Sequence, residues 1–581
     1  MNTMDFRRAV SFCLVLGFSV LACAQGTKVP AATATGNGRI NGTVLQATTG
    51  QPLARIEVSI SPTEQHDASV QAITGPDGRF AFENLPRGKY SLTAQGRGFA
   101  PQAYQQHGPY STAIAVGPEL KSENVIFRLV PDASISGSVV DEENEPVRGG
   151  EVYLFTRGGE SGGHAPHWRG QSNLDEQGRY HFGHLRPGTY LLAVSAQPWY
   201  AQDSQVIAKQ PPPSVEDPSP PSPNGDSSSP PEFSAPSSLD VAYPLTYYPD
   251  VTEAGNAASI VLQPGERALA DVTLRAVPAL HLKIRNASSD PSRPTAAVVQ
   301  QRIFDSLDTT PVPMPVRSQQ TSLGVLNLTG IAPGHLLLDL RTFTGKEWTT
   351  VDRELDVSAD TEIDTAEGAV APVTVEGVVQ FPAGAADAST TYIRFFNRKT
   401  GETFGAPVSP KGTFKIEQTL AEPTTFEISV FGVPDLAVHD MTATGATVAG
   451  RTLQLPRTGS VLMKVAMTQG LARVDGTVLR RDKPVAETMV LLVPDHPEPD
   501  ADLFRRDQSD SDGTFSLYQV VPGRYTLLAI QNGWDLDWQN PTVLKPYLEH
   551  GSPLEVTTPH TYKVSVTAQD NAAKASPPSQ P

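Results

Sequence analysis

Residues 178–192, GRYHFGHLRPGTYLL, form the stretch that decides the fold of this chain. Apolar and polar positions alternate on both sides of Pro187-Gly188, and this pattern predicts two strands joined by a tight turn. The chain repeats the stretch from Gly78 and again from Gly513, with related residues at +2, +4, +7, +10, +12 and +14 from the first glycine. A repeat this regular predicts architecture and does not by itself indicate a reaction.

Two aromatic positions of the repeat have predictable structural roles. The ring at +2 alternates with polar neighbours, so we expect it to fill a core; these rings are Phe80, Tyr180 and Phe515. The tyrosine at +12 is predicted to bond nearby backbone as in a tyrosine corner; these residues are Tyr90, Tyr190 and Tyr525.

Composition limits the size and the partners of the protein. At roughly 100–150 residues per domain, 581 residues suggest about four to six domains. The 52 prolines and 47 glycines favour many short strands and turns over long helices. A formal charge of -17 without a long basic run argues against a nucleic-acid partner.

Residues 1–24 are predicted to be a signal peptide, because Arg7 and Arg8 precede an apolar run at 9–22. Two processing routes stay open. Cleavage after Ala24 would release a soluble chain, whereas a lipobox-like site would leave a lipid on Cys23 and anchor the protein to a membrane. We therefore expect an exported protein, either an outer-membrane lipoprotein or a periplasmic or extracellular one.

Both cysteines, Cys13 and Cys23, lie in this leader or at its end. The mature chain is therefore predicted to have no disulfide, no cysteine nucleophile and no cysteine-ligated metal.

The repeat and its flanking strands predict an all-β chain of tandem small antiparallel β-sandwich domains, transthyretin-like or Ig-like, in an elongated arrangement. We name the five sandwiches units 1 to 5. The expected divisions are 1–24 signal peptide, 36–131 unit 1, 132–278 unit 2 with a disordered Pro/Ser-rich insert at 205–240, 279–371 degenerate unit 3, 372–468 degenerate unit 4, 469–570 unit 5 and 571–581 polar tail.

The pattern G-x-V, P-V, D-x-x-G-x-F/Y-x-F-x-x-L-x-P-G-x-Y-x-L resembles the carboxypeptidase regulatory-like domain, a transthyretin-like sandwich related to carbohydrate-binding-like folds. The resemblance is strong in units 1, 2 and 5 and weak in units 3 and 4. Residues 247–249 and 264–266 are also similar to multi-domain exported bacterial proteins of this group. The resemblance implies an accessory domain and does not imply peptidase activity.

Three patterns could carry chemistry, and each has a simpler structural interpretation. Residues 159–163, GESGG, match the nucleophile pattern around Ser161, but no helical pattern follows and a loop is favoured. Asp507, Asp510 and Asp512 precede Gly513, and a hairpin turn explains them without Ca²⁺. No H-E-x-x-H zinc-peptidase motif is present.

Four histidines cluster in unit 2 with two H-x-x-H spacings: His164, His167, His181 and His184. Zinc sites usually need a further ligand, so surface histidines are favoured, and metal binding by this cluster stays open. His181 alternates with inward rings and is expected to face outward. We predict no catalytic residue, no metal and no cofactor.

Aromatic residues after two of the repeated tyrosine strands form the candidate ligand platform: Trp199, Tyr200, Trp534 and Trp538. Exposed indoles near carboxylates can stack on a sugar or a protein partner. The alternative is that these rings cover the open ends of the sandwiches.

The sequence therefore predicts a non-catalytic, exported cell-envelope protein that acts as a binding or scaffold module for a protein or polysaccharide partner. The first alternative is a carbohydrate-binding protein that uses the loop aromatics. The second is an accessory subunit of an envelope hydrolase or transporter.

Overall fold

A computed structural model describes most of the chain. The described residues are 36–64, 68–118, 120, 122–157, 166–201, 239–285, 295–304, 306, 312–314, 316–322, 325–343, 348–364, 372–382, 391–418, 420, 422–432, 435–557 and 560–571. The predicted signal peptide, Cys23, Ser161, His164 and most of the Pro/Ser-rich insert lie outside them.

Unit 1 is a sandwich of two sheets. Its strands are β1 (Gly38–Gln46), β2 (Glu57–Pro62), β3 (Val70–Ile73), β4 (Arg79–Leu85), β5 (Gly88–Gly96), β6 (Phe99–Ala103), β7 (Ile114–Val116) and β8 (Val125–Leu129). One sheet has the order β4-β1-β8, and the other has the order β3-β2-β5-β6 with β7 also paired to β5.

Unit 2 has the same two-sheet plan. Its strands are β9 (Ala133–Val140), β10 (Glu151–Arg157), β11 (Pro166–Asn173), β12 (Arg179–Leu185), β13 (Gly188–Ser195), β14 (Val241–Ala242), β15 (Thr246–Tyr247), β16 (Ile260–Leu262), β17 (Arg267–Leu269), β18 (Val272–Thr273) and β19 (Val277–Pro278). The sheets are β12-β9-β17 with β18 on β9, β11-β10-β13-β15 with β16 on β13, and the small pair β14-β19.

Units 3 and 4 keep this architecture although their sequence repeat is degenerate. Unit 3 contains β20 (Leu280–Arg285), β21 (Thr295–Gln301), β22 (Val312–Pro313), β23 (Arg317–Ser322), β24 (Val325–Ile331), β25 (Gly334–Phe343), β26 (Trp348–Val357) and β27 (Thr361–Asp364), in sheets β23-β24-β20-β27 and β22-β21-β25-β26. Unit 4 contains β28 (Val373–Gln380), β29 (Tyr392–Phe396), β30 (Thr403–Pro407), β31 (Thr413–Gln418), β32 (Thr424–Phe431), β33 (Leu436–Thr444), β34 (Thr447–Ala449), β35 (Thr452–Leu455) and β36 (Gly459–Gln469), in sheets β31-β28-β36-β33 and β30-β29-β32-β35-β34.

Unit 5 joins its two halves into one eight-stranded sheet. Its elements are β37 (Ala472–Arg480), β38 (Lys483–Pro484), β39 (Met489–Pro494), β40 (Arg505–Gln508), β41 (Thr514–Val520), β42 (Gly523–Gln531), α1 (Pro541–Leu548), β43 (Ser552–Val556) and β44 (Thr561–Asp570). The order is β38-β37-β44-β42-β39-β40, with β41 on β37 and β43 on β42. The long strand β44 pairs with both β37 and β42 and so connects the two layers.

The fold class predicted from the sequence is confirmed, since each unit is built from strands that enclose a hydrophobic cluster of their own. One detail differs from the prediction of antiparallel sheets. The first strand of each unit pairs in parallel with a strand late in the same unit: β1 with β8, β9 with β17, β20 with β27, β28 with β36 and β37 with β44. Such pairs form because the chain crosses between the two layers before it returns beside its first strand.

The repeated glycine of the first strand makes room for the ring at +2. Gly476 lies opposite Phe515, and a Cβ on Gly476 would fall 2.3 Å from the phenyl Cζ. Gly42 faces Phe80 in the same way in unit 1, where the corresponding distance is 2.9 Å. The rings predicted to be core residues are buried, since Phe80, Tyr180 and Phe515 are at most 5% exposed.

The tyrosine-corner prediction is also confirmed. Each repeated tyrosine donates its hydroxyl to the carbonyl oxygen four residues earlier, which ties the strand start to the preceding turn. The bonds are Tyr90 to Pro86 at 2.9 Å, Tyr190 to Arg186 at 2.7 Å and Tyr525 to Val521 at 2.7 Å.

One helix, α1, was not predicted from the sequence, and it packs on unit 5. Asn540 caps it by accepting from the Thr542 amide, and Pro541 occupies the first turn. Leu544 and Tyr547 are buried against the outer face of β39 and β42. In the described part of the chain, no helix is both long and apolar enough to cross a membrane.

Units 1 and 2, units 2 and 3, and units 4 and 5 contact each other, as the short links predicted. Representative contacts are Asp132 N to Gly98 O at 3.1 Å between units 1 and 2, the rings of Tyr247 and Phe304 at 4.6 Å between units 2 and 3, and Arg451 Nε to Asp502 Oδ2 at 2.7 Å between units 4 and 5. A further contact, between units 1 and 5, was not predicted.

Candidate functional site

The contact between units 1 and 5 is centred on Gln508, at the end of β40, which is 1% exposed. Its Nε2 donates to the Gln105 carbonyl oxygen at 2.8 Å and to the Thr112 hydroxyl at 2.7 Å. Its Oε1 lies 3.0 Å from Nδ1 of His107. A single buried side chain therefore forms three hydrogen bonds across this contact, which we call the junction of units 1 and 5.

Backbone groups extend the junction along β7, the short strand that pairs with β5. The amide of Ala113 donates to Asp510 Oδ1 at 2.9 Å, and the amide of Ala115 donates to Ser511 Oγ at 2.8 Å. In return, the Ser511 amide donates to the Ala113 carbonyl at 3.0 Å. The turn after β40 thus provides hydrogen-bond partners for backbone groups of Ala113 and Ala115, which would otherwise face solvent.

Aromatic rings form the second layer of the junction. The His107 ring stacks on Trp534 with centroids 4.7 Å apart and planes 6° apart, and Tyr110 lies 5.8 Å from the same indole. The Arg506 guanidinium carbon is 4.7 Å from the centroid of Tyr110 and 4.6 Å from that of Trp538. This cation lies between rings contributed by both units, an arrangement that favours their association.

Charged groups complete the junction. Lys89 Nζ lies 2.5 Å from Asp510 Oδ2, and Gln105 Nε2 donates to Glu487 Oε2 at 2.7 Å. Burial raises the pKa of Asp510, although the Lys89 ammonium opposes this effect. Burial also raises the pKa of Glu487.

The carboxyl group of Asp507, on β40, has a pKa far above its ordinary value. Burial raises the pKa of Asp507 to about 6, although hydrogen bonds from the backbone of Ser516 and Gln508 oppose the change. The Ser516 amide donates to Asp507 Oδ2 at 2.8 Å. A carboxyl with such a pKa changes its charge within the mildly acidic range.

The three aspartates considered for Ca²⁺ each have a protein partner. Asp507 accepts from Ser516, Asp510 bonds Lys89 and Asp512 Oδ1 accepts from the Thr514 hydroxyl at 2.6 Å. Gly513 lies at φ +77° in the hairpin turn, which agrees with the turn interpretation. These carboxylates therefore serve the turn and the junction.

The ligand-platform interpretation requires exposed indoles, whereas the alternative interpretation has these rings cover the end of a sandwich; Trp534 fits the alternative. Trp534 is 9% exposed because it packs on His107 of unit 1 and on the layer that contains α1. Trp538 is half-buried beside Phe504, with ring centroids 5.7 Å apart. Trp534 therefore does not offer the free face that a platform requires.

Trp199 occupies the equivalent position in unit 2 and is 77% exposed. Its ring meets Tyr200 edge to face, with centroids 5.9 Å apart and planes 88° apart. The Tyr200 hydroxyl donates to Glu142 Oε1 at 2.8 Å, which fixes the tyrosine beneath the indole. The structure thus brings Trp199 and Tyr200 together and separates them from Trp534 and Trp538.

The histidines of unit 2 have different surroundings. His181 is exposed, as its alternation with inward rings predicted. His184 lies at φ +54° and its Nδ1 is 2.5 Å from Asp132 Oδ2. Within the described residues, no group of three or more His, Cys, Asp or Glu side chains is placed to hold a metal ion.

A cleft of about 590 Å³ lies between units 2 and 3. Tyr247 and Glu253 line it from unit 2, and Arg302, His335 and Asp356 line it from unit 3. The cleft combines the carboxylates of Glu253 and Asp356 with the guanidinium of Arg302, so its lining does not favour a ligand of one charge.

Comparison with protein families identifies one domain. Residues 39–119 match the carboxypeptidase regulatory-like domain, which confirms for unit 1 the resemblance read from its sequence. No curated protein matches the chain.

Several solved structures share local similarity with the chain. The minor pilin GBS52 of Streptococcus agalactiae is 12% identical, with 41% of this chain and 96% of that chain covered and a TM-score of 0.19. The full-length major pilin RrgB of Streptococcus pneumoniae is 9% identical, with 92% and 100% covered and a TM-score of 0.16. The Bacillus anthracis TIE protein is 10% identical, with 74% and 72% covered and a TM-score of 0.16. TM-scores this low do not establish a common arrangement of domains.

Proposed function

We propose that this protein, whose first sandwich is a carboxypeptidase regulatory-like domain, is a non-catalytic, exported cell-envelope scaffold that presents binding surfaces to a partner. The observation that carries the proposal is the junction of units 1 and 5. Its buried Gln508 and stacked Trp534 join sandwiches that lie about 400 residues apart in sequence. Such a contact holds several domains in a fixed relation, which is what a scaffold requires.

The residues that sequence motifs indicated as possible functional residues support the same proposal. The repeated tyrosines bond backbone carbonyls, and the aspartates before Gly513 bond a lysine, a hydroxyl and an amide. Groups committed to structural bonds in this way are poorly placed to act on a substrate.

Cell fractionation tests the envelope part of the proposal. We expect the full-length gene product to reach a membrane or periplasmic fraction, and mass spectrometry of its N-terminus to find either lipidated Cys23 or free Gln25. An uncleaved chain in the cytoplasm would contradict export. A serine-reactive probe should leave the chain unlabelled; labelling at Ser161 would favour the hydrolase-associated alternative over the scaffold.

Carbohydrate binding at Trp199 is the second candidate function, and the 77% exposure of its indole favours it. Tyr200, which is itself bonded to Glu142, contacts the indole edge to face and restricts it, which lowers the entropy lost on binding. Glycan-array binding should be lost in Trp199→Ala. The matched control is Trp168→Ala, because Trp168 is 46% exposed in the same unit. Equal loss in both variants, or no binding at all, would remove this candidate.

A further inference from the structure

An aromatic and cationic surface lies on unit 4, on the sheet face away from its core. Along β29, Ile393 and Phe395 are buried at 0% exposure, so the alternate residues Tyr392, Arg394 and Phe396 face outward. We call these three residues and Phe431 of β32 the outer face of unit 4.

The two most exposed rings of this face belong to a pair of residues on neighbouring strands. Tyr392 pairs directly with Phe431 across β29 and β32, and the side chains are 42% and 47% exposed. Gly405 of β30 leaves the space that the Tyr392 ring uses, because a Cβ there would fall 2.6 Å from the ring carbon Cε1. The tyrosine therefore lies close to the sheet and forms part of a low, broad aromatic surface.

Arg394 is held between rings of the same face. Its Cζ lies 4.7 Å from the Phe431 centroid and 5.4 Å from the Phe396 centroid. Its Nε donates to Ser429 Oγ at 3.2 Å, whereas its two terminal nitrogens have no acceptor among the described residues. The guanidinium is thus oriented by its contacts and keeps its paired donors for a ligand.

The acidic side chain nearest in the register does not neutralise Arg394. Glu427 lies opposite Phe396 and binds Arg398 instead. A similar cation–ring pair in unit 5 differs in this respect, since Arg473 lies 4.7 Å from the Tyr518 centroid and also bonds Asp475 Oδ1 and Ser516 Oγ. Arg394 therefore combines a stacked guanidinium with free donors, whereas Arg473 does not.

We propose that the outer face of unit 4 binds an acidic glycan. Tyr392 and Phe431 present exposed aromatic surface on which the C–H groups of pyranose rings stack, and the terminal N–H groups of Arg394 form a fork for a uronate carboxylate. A low surface without a raised anchor residue suits flat sugar rings better than a protein hot spot, which typically fills a pocket. The inference rests on the proposed function, because it names a ligand for a binding module.

The test uses the full chain and oligogalacturonides, with their methyl esters as the uncharged match. Isothermal titration should give binding to the acid form that is at least tenfold tighter than binding to the ester. Arg394→Gln should abolish this preference, and Tyr392→Ala or Phe431→Ala should weaken binding at least tenfold. All three side chains lie on the outer face, so the variants are expected to keep the wild-type circular dichroism spectrum.

Tyr518→Ala is the matched control, since Tyr518 is 56% exposed beside Arg473. It should bind like the unmodified chain, and so should Trp199→Ala. Absence of oligogalacturonide binding, equal affinity for acid and ester, or loss only in Trp199→Ala would each overturn the inference. Export and envelope association could still be observed in any of those cases, so failure here is distinguishable from failure of the proposed function.

Discussion

Replacement of His107 by alanine should open the junction of units 1 and 5 without changing the core of either unit. The ring stacks on Trp534, and its Nδ1 contacts the buried amide oxygen of Gln508. Loss of the stacked pair costs about 0.5–1.5 kcal/mol, and loss of a partner for the buried oxygen costs about 1–3 kcal/mol. Because 1.4 kcal/mol is a factor of ten, a combined loss of about 1.5–4.5 kcal/mol raises the open population roughly 10- to 1,600-fold.

Hydrogen exchange can measure this opening directly. The amides of Ala113, Ala115 and Ser511 donate only across the junction, to partners in the opposite unit. Their exchange should accelerate by the factor above in His107→Ala, while peptides from β42 should exchange at the wild-type rate.

A second histidine provides the control. His550 is exposed on unit 5, just after α1, so His550→Ala should leave the exchange of all these amides unchanged. Wild-type exchange at the three junction amides in His107→Ala would refute the assignment of His107 to the junction. Equal acceleration in β42 would show that unit 5 unfolds as a whole.

Three further predictions concern stability, measured by urea unfolding. Because burial raises the pKa of Asp507 to about 6, the folded state holds this proton more tightly than the unfolded chain, and Asp507 lowers stability as pH rises from about 4 to about 6. The pKa shift of about 2 units corresponds to about 3 kcal/mol, so Asp507→Asn should have a free energy of unfolding up to about 3 kcal/mol above wild type at pH 7.5. At pH 4 the difference should be small. An equal effect at both pH values would contradict this prediction. Tyr525→Phe should lose about 0.5–1.5 kcal/mol with the bond to Val521, and an unchanged stability would show that the tyrosine corner contributes nothing. Gly476→Ala should lose about 1–3 kcal/mol because its Cβ meets Phe515, whereas Gly170→Ala, which meets no atom within 4 Å, is the tolerated control.

The sequence could predict features whose partners lie close along the chain. The inward ring at +2 and the tyrosine corner both form within residues 178–192 and their copies, so spacing alone determines them. The helix α1 also had a local signal, Asn540-Pro541, although the sequence reading did not use it.

Contacts between distant segments could not be predicted in this way. Gln508 and Thr112 are separated by 396 residues, and no spacing rule relates them. For the same reason Trp534 resembled an exposed loop residue until unit 1 was placed against it. On the outer face of unit 4, the alternation of Tyr392, Arg394 and Phe396 was readable, but the position of Phe431 depends on strand register.

The junction of units 1 and 5 has a mechanical consequence. A tension applied between residues 36 and 571, the ends of the described chain, passes directly from unit 1 to unit 5 through Gln508, Trp534 and the Lys89–Asp510 pair. Units 2, 3 and 4 connect units 1 and 5 along the chain, in parallel with this path. Under such a tension the junction would break first. Its rupture would let the chain extend by the length of units 2, 3 and 4 before any sandwich has to unfold.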